Sequence, residues 1–275
     1  MSEDKRENLQ ADCTKCFGLC CTALNVAASS DFAMNKGAGE PCLNLQPDYR
    51  CKIHSNLREK GFKGCTVFDC LGAGQRVSQD TFKGQDWREY PLVREKMFRV
   101  FPIMDQLYEM IAYIGEAMSY QISPSLFEKL KVQLDQLQSL TMLDPDQLLS
   151  IDIPSYRHPV NELLVETSEY IRNNIKVTTS NKSRNYKGVD WIGKKLKGQD
   201  LRGINLRGAY LIASDLRNTD LRGADFIGAD LRDADLSGAN LSTSLFLTQM
   251  QINSAKGNKE TKLPYYLQRP PHWTE

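Results

Sequence analysis

Over residues 196–246 the large apolar side chains fall on every fifth position: Leu196, Leu201, Leu206, Leu211, Leu216, Leu221, Phe226, Leu231, Leu236, Leu241 and Phe246. A helix repeats every 3.6 residues and a strand every two, so neither accounts for a period of five. Two residues before most centres stands a small side chain, as at Ala209, Ser214, Thr219, Ala224, Ala229, Ala234, Ala239 and Ser244. Asp or Asn comes between, as at Asp215, Asp220, Asp225, Asp230, Asp235 and Asn240, and Gly often follows two places after the centre. One large and one small inward residue in five, with turn formers between, predicts a solenoid whose wall bends once per repeat. A single unit cannot bury its own apolar face, so stacked coils must supply the core.

Elsewhere the period is helical. Leu92, Met97, Val100, Ile103, Met104, Leu107, Ile111 and Ile114 form a wide apolar stripe, which Pro102 is expected to break or kink. A second helix opens with Ser123 as N-cap and Pro124 at its first position, and buries Leu126, Leu130, Leu134 and Leu137. Asp144 and Pro145 repeat that start signal, and a last helix is expected over 159–174. Residues 1–90 are rich in Gly and Cys without helical periodicity, which predicts loops. The zones are thus 1–90 cysteine-rich, 91–175 helical, 176–188 linker, 189–248 repeat and 249–275 a cap. In the cap, Tyr265, Tyr266, Leu267 and Trp273 supply the apolar side, with His272 packed beside Trp273. Lys194, Gln199 and Ile204 occupy the small position in the first three repeats, so the first coil is expected to be irregular.

Charge narrows the partners. The 275 residues carry a net charge of +1, so no global field points at nucleic acid or an anionic membrane. No apolar run approaches the roughly 18 residues of a membrane span. The charged start MSEDKRENLQ lacks a secretory apolar stretch, and a cytoplasmic location is expected. From residue 188 to 246 there are eight Lys plus Arg against eight Asp. Arg202, Arg207, Arg217, Arg222 and Arg232 each stand two positions after an outward Asp or Asn, so the outer faces read as self-neutralised ladders.

All eight cysteines lie within residues 13–70: Cys13, Cys16, Cys20, Cys21, Cys42, Cys51, Cys65 and Cys70. Clustered thiols in a reducing compartment point to metal rather than disulfides. A C-x-x-C turn such as Cys13–Cys16 brings two sulfurs to one side of a tight loop, and ligands from further along the chain complete a tetrahedron. Adjacent Cys20 and Cys21 favour two sites on one scaffold, or a cluster. His54, three residues after Cys51, is a further candidate ligand. Zinc is expected, with an iron–sulfur cluster as the alternative, because both are held by thiolates.

The eleven consecutive pentads resemble the pentapeptide-repeat family. That resemblance implies a right-handed, four-sided β-helix with four repeats per coil, so that residues twenty apart stack. Leu201, Leu221 and Leu241 would then form one interior ladder, with Phe226 over Phe246. The head resembles the CxxCxxCC family of zinc- or iron-chelating proteins through ADCTKCFGLCC, PCLNL, RCKIH and CTVFDC. It departs from that pattern in having three residues between Cys16 and Cys20, and GFKG where an arginine-proline usually stands. Together these give a multidomain α and β chain with a metal-binding head, a helical middle and a C-terminal β-helix.

Three functions follow. No phosphate loop, acid–base pair or partnered nucleophile stands out, so the first is a non-enzymatic scaffold that binds another protein and neither nucleic acid nor membrane. The second is an iron–sulfur or redox enzyme acting on proteins, since some members of the chelating family are linked to protein lysine methylation. The third is topoisomerase binding, because some pentapeptide-repeat proteins imitate duplex DNA. The balanced charge of the repeat argues against that third reading.

Overall fold

The structure is a computed structural model and describes residues 9–175 and 184–273. The chain divides into two compact units, Met1–Leu164 and Val165–Glu275.

The first unit begins with short elements: α1 (Leu19–Thr22), α2 (Lys63–Val67) and α3 (Ala73–Gln75), the last continuing into a π-helical turn over Arg76–Thr81. Long helices follow: α4 (Pro91–Ser119), α5 (Pro124–Leu140), α6 (Pro145–Leu149) and α7 (Ile153–Asn173), within which the unit boundary falls. α4 is the hub, packing against α1, α3, α5 and α6. Its Met97, Val100, Phe101, Met104, Leu107 and Ile114 are fully buried, so the Met- and Phe-rich stripe is ordinary core. Ser123 caps α5 by accepting the Leu126 N–H at 3.3 Å, and Asp144 and Gln147 form a reciprocal capping box on α6.

Two prolines behave differently from expectation. Pro102 lies inside an unbroken α4, and Pro159 lies inside α7, which starts six residues earlier at Ile153. An interior proline forfeits one i→i−4 hydrogen bond. Phe101 and Met104, both sealed in the core, hold the chain helical across Pro102.

Asp105 on α4 is the conspicuous polar resident of this unit. Burial first, then the Glu109 and Asp69 carboxylates, push its pKa up to about 6. The folded chain therefore holds this proton more tightly than the unfolded chain. Stability should fall as pH rises from about 4 through about 6 and stay level above. Asp105→Asn is expected to flatten that slope and to raise stability at pH 7 by about 1–2 kcal/mol. Urea unfolding at pH 4.5 and pH 7 would check both halves.

The second unit is a coil with a twenty-residue period. Parallel bridges pair Asn185 with Asn205, Asp190 with Tyr210, Lys195 with Asp215, Asp200 with Asp220, and so on to Asp225 with Leu245. Each repeat makes a tight turn after its centre: the Ala209 N–H donates to the Leu206 carbonyl at 3.0 Å and the Ser214 N–H to the Leu211 carbonyl at 3.0 Å. The residue two after the centre lies in the left-handed region, as at Gly203 (φ 63°) and Gly223 (φ 66°), which explains the glycines. Asp or Asn before the centre serves the same turn, since Asp200 Oδ1 accepts the Arg202 N–H at 3.2 Å. Only one residue remains between turns to pair with the next coil. Among the described residues the walls are therefore isolated bridges rather than extended strands.

The centres and small residues are buried as the pattern predicts. The hydroxyls at small positions are satisfied locally: Thr219 Oγ1 donates to the Leu216 carbonyl at 2.6 Å. The coil is longer at both ends than the periodic stretch. It begins at Asn185, within the stretch read as linker, and the centres Tyr186 and Trp191 extend the core cluster. Residues 176–183 of that stretch lie outside the described residues. The first coil is as regularly bridged as the rest, because Lys194 and Gln199 turn outward. Lys194 lies over the Trp191 ring at 4.8 Å.

At the other end Asp235 pairs with Lys256 and Asn240 with Lys262, so the ladder runs into the tail. The longer spacing there accommodates α8 (Gln249–Ser254). Gln251 Nε2 donates to the Phe226 and Ala229 carbonyls, both at 2.8 Å, and so ties α8 to the preceding coil. Trp273 is buried and donates its indole N–H to the Ala255 carbonyl at 3.0 Å, with His272 Nε2 3.1 Å from the same oxygen. Tyr265 departs from expectation. It is 75% exposed, and Leu263 joins Leu267 against the core instead.

Candidate functional site

The cysteine head is built on short turns pinned by aromatic and buried polar contacts. The indole of Trp87 donates to the Phe17 carbonyl at 2.8 Å. Phe17, Tyr49, Trp87 and Phe98 form a chain of ring contacts with centroids 5.3, 5.8 and 5.3 Å apart. Leu19, Ala73 and Val77 are fully buried in the same region. No period in residues 1–90 announces this core, and the sequence predicts only loops there. Its members lie far apart in the chain and follow no period.

Lys36 is the second unforeseen feature. Its ammonium donates to the carbonyls of Thr22 at 3.1 Å, Gly37 at 3.1 Å, Glu40 at 3.0 Å and also Leu24. The charge thereby ties the segment after α1 to the loop before Cys42. Desolvation lowers its pKa, and Cys42, Cys21 and Glu40 oppose that shift.

All eight thiols are free. Cys16 and Cys70 flank Gly74, where an added Cβ would stand 2.7 Å from Cys16 Sγ and 3.8 Å from Cys70 Sγ. Cys20 and Cys21 are successive residues of α1 with sulfurs 3.9 Å apart. The Cys42 N–H donates to the Cys21 carbonyl at 2.9 Å, and Cys51 lies in the antiparallel bridge with Leu45. Cys65 sits in α2, and Cys13 opens a single 3₁₀ turn. His54 follows Cys51 in an exposed 3₁₀ turn.

Electrostatics tie the thiols together. Burial drives Cys16 up to about 11 and Cys65 up to about 11, with Cys21, Cys42 and Cys51 adding to the rise at Cys65. Burial also raises Cys13, Cys51 and Cys70. Cys20 is raised first by its hydrogen bond to Cys21, which is correspondingly lowered by that bond and by the Lys36 charge. Among the described residues no three His, Cys, Asp or Glu side chains converge on one ion-sized point. The donor set nonetheless has the chemistry of a soft-metal binder: eight free thiols, several sharing each other's field, in a loop-rich head.

The coil presents a different surface. Arg217 binds Asp215 through Nε at 2.8 Å and Nη2 at 2.7 Å, and Arg222 binds Asp220 at 2.9 and 2.6 Å. Arg202–Asp200 and Arg232–Asp230 repeat the fork. The pairs also reach across coils, with Arg202 Nε 3.7 Å from Asp220 and Arg217 Nε 3.7 Å from Asp235.

Arg207 breaks the series. It and Asp225 are covered rather than exposed, with 8% and 0% of their side chains exposed and 3.0 Å between Nη1 and Oδ2. The end of α7 explains this. Ile175 covers Gly203 and Gly223, where an added Cβ would lie 3.3 and 2.0 Å from its Cδ1. Arg184 donates to the Arg172 and Ile175 carbonyls at 3.4 and 3.3 Å, and burial lowers the pKa of Arg172.

Repeats of this geometry define a pentapeptide-repeat protein, and the pentapeptide-repeat model matches residues 195–226 and 204–242 in eight copies. The chain is 54% identical over 266 residues to the "Uncharacterized protein YybG" of Bacillus subtilis (strain 168), covering 97% of this chain and 95% of that protein, and it belongs to that protein's family. A solved pentapeptide repeat protein from the Arabidopsis thaliana thylakoid lumen is 28% identical and matches 30% of this chain, with a TM-score of 0.16. The match spans 60% of that protein's own length.

Proposed function

We propose that this protein is a non-enzymatic, cytoplasmic scaffold: a repeat coil that meets another protein, carried with a thiolate metal head that binds zinc. The coil is read as the right-handed, four-sided β-helix of its family. The observation that carries the scaffold reading is the row of forked Asp–Arg pairs on the coil surface. Each guanidinium spends its charge on a neighbouring carboxylate, which leaves little sequence-independent attraction for phosphate and little resemblance to duplex DNA. Paired opposite charges instead suit recognition of a protein, where they give orientation and selectivity. Among the described residues no helix is long and apolar enough to cross a membrane.

The metal half rests on donor chemistry. Cys13, Cys16, Cys20, Cys21, Cys42, Cys51, Cys65 and Cys70 are the proposed ligands. The exposed 3₁₀ turn of His54 and the number of thiols available leave His54 outside the first choice. An iron–sulfur cluster is the second reading for the same thiols, because four cysteines also suffice for a cluster.

The scaffold reading is tested against nucleic acid with labelled duplex DNA and the full chain by fluorescence anisotropy. No binding at micromolar concentrations in physiological salt is expected. Micromolar or tighter binding that weakens steeply with added salt would overturn it and restore a topoisomerase-directed role.

A further inference from the structure

We propose that the C-terminal cap is where the scaffold takes its partner: the cleft over residues 259–269 docks an acidic peptide segment that carries an apolar side chain beside its carboxylates. This rests on the protein-binding reading of the coil and names the site and the partner's chemistry.

The tail after α8 is fixed to the last coil where it forms this cleft. The Lys262 N–H donates to the Ala239 carbonyl at 2.9 Å, and the Lys262 carbonyl accepts the Leu241 N–H at 2.7 Å. Thr261 is buried, and its hydroxyl donates to the Leu236 carbonyl at 2.9 Å. Leu263 and Leu267 pack against the core of the coil, and the Leu267 N–H closes a turn on the Pro264 carbonyl at 3.1 Å. Arg269 Nη2 donates to the Lys259 and Thr261 carbonyls, both at 3.0 Å, which ties the two ends of the segment together. The result is an open cleft of about 450 Å³, a size common among ligand sites. Its backbone is already ordered, which lowers the entropic cost of binding.

The lining is cationic and apolar together. Lys259, Lys262 and Arg269 stand against Glu260 alone, and Leu263 and Leu267 supply apolar surface. Among the described residues no carboxylate lies within ion-pair distance of those three cations. The coil differs in this respect, for Arg202, Arg217, Arg222 and Arg232 each hold a carboxylate. The cap thus keeps charge that the coil has already neutralised, and a partner's carboxylates complement it.

The exposure of Tyr265 has a use here. Its ring meets that of Tyr266 at 90°, with centroids 5.5 Å apart, and it lines the same cleft. Such a ring packs on an apolar side chain while its hydroxyl stays in water. A nucleic acid fits less well. Three cations beside a carboxylate make a short track for a phosphate chain, and the leucines have nothing to gain from one.

The test is fluorescence anisotropy of the full chain with a short labelled peptide of Glu, Asp and Leu, beside one in which Lys replaces the acids. Binding of the acidic peptide alone is expected, weaker with added salt. The Lys259→Glu, Lys262→Glu double variant should lose at least about tenfold in affinity, and Tyr265→Ala about threefold. Both change only exposed side chains, so their circular dichroism should match the parent's. Lys187 is exposed on the first coil, and Lys187→Glu should bind as the parent does. Equal affinity in the parent and the double variant, or an equal loss in Lys187→Glu, would move the contact off the cap and overturn the docking site while sparing the scaffold reading. Equal binding of the Lys peptide would overturn the acidic partner. No binding of the acidic peptide at about 1 mM would overturn the docking site as well, and the scaffold reading would still be judged by duplex DNA. Tighter binding of labelled single-stranded DNA, lost in the double variant, would overturn both.

Discussion

Leu221→Asp is expected to open the repeat coil or to cost more than about 4 kcal/mol of its stability. Leu221 is fully buried, and its own backbone is bound on both sides: its N–H donates to the Asn240 carbonyl at 2.9 Å, and its carbonyl accepts the Ser244 hydroxyl at 3.1 Å. The turn therefore cannot swing the side chain outward without breaking the ladder. Removing the leucine forfeits about 1.5–3 kcal/mol of burial. An ionised carboxylate among apolar side chains then adds several kcal/mol, or the group takes a proton at a similar cost. Thermal unfolding followed by circular dichroism is the measurement. If Leu221→Asp does not fold at all, Leu221→Ala keeps the question open to experiment, with about 2–5 kcal/mol expected. Equal stability of both variants and the parent would reject the placement of Leu221 in the interior.

The period of five was legible because every centre, small residue and turn former has a role that repeats with the coil. Stacking at twenty residues is visible in the bridges, and the burial of Ala209 through Ser244 is visible in the sequence. Helix starts marked by Ser123–Pro124 and Asp144–Pro145 were equally plain, since a cap is a local interaction. What escaped was non-local. Tyr186 and Trp191 continue the centres, but neither is a leucine or phenylalanine. Lys256 and Lys262 resume the ladder after an inserted helix that shifts the count. Pro102 reads as a break or kink and Pro159 as a helix start because propensity speaks locally, whereas the burial that overrides it is tertiary. In the head, the cysteines were found at once by their chemistry. The Phe17–Tyr49–Trp87–Phe98 contacts and the four carbonyls around Lys36 were not, because no spacing announces them.

The burial of Arg207 shows why equivalent positions in a repeat need not carry equal weight. In sequence Arg207 and Arg222 look alike, each two places after Asn or Asp. In the fold Arg222 has 45% of its side chain exposed, while Arg207 is buried with a fully buried Asp225 beneath Ile175 and Arg172. Arg207→Ala would leave the Asp225 carboxylate with its principal charge partner gone, and a loss of about 3–5 kcal/mol is expected. Arg222→Ala removes an exposed pair and should cost about 0–1 kcal/mol. A second comparison separates charge from packing. Asp225→Asn keeps an oxygen for the Ile227 N–H, which Asp225 Oδ1 now accepts at 3.0 Å. In the Arg207→Met, Asp225→Asn double variant no unpaired carboxylate remains and Arg172 keeps the Glu169 carboxylate, so much of the loss should be recovered. Added salt should weaken the Arg222 pair and leave the Arg207 pair nearly unchanged, because ions screen exposed charges far more than buried ones. Urea unfolding of the four proteins at low and high salt reads all of this. A cost for Arg207→Ala no larger than that for Arg222→Ala would place Arg207 back on the solvent face and remove the structural role assigned to the end of α7.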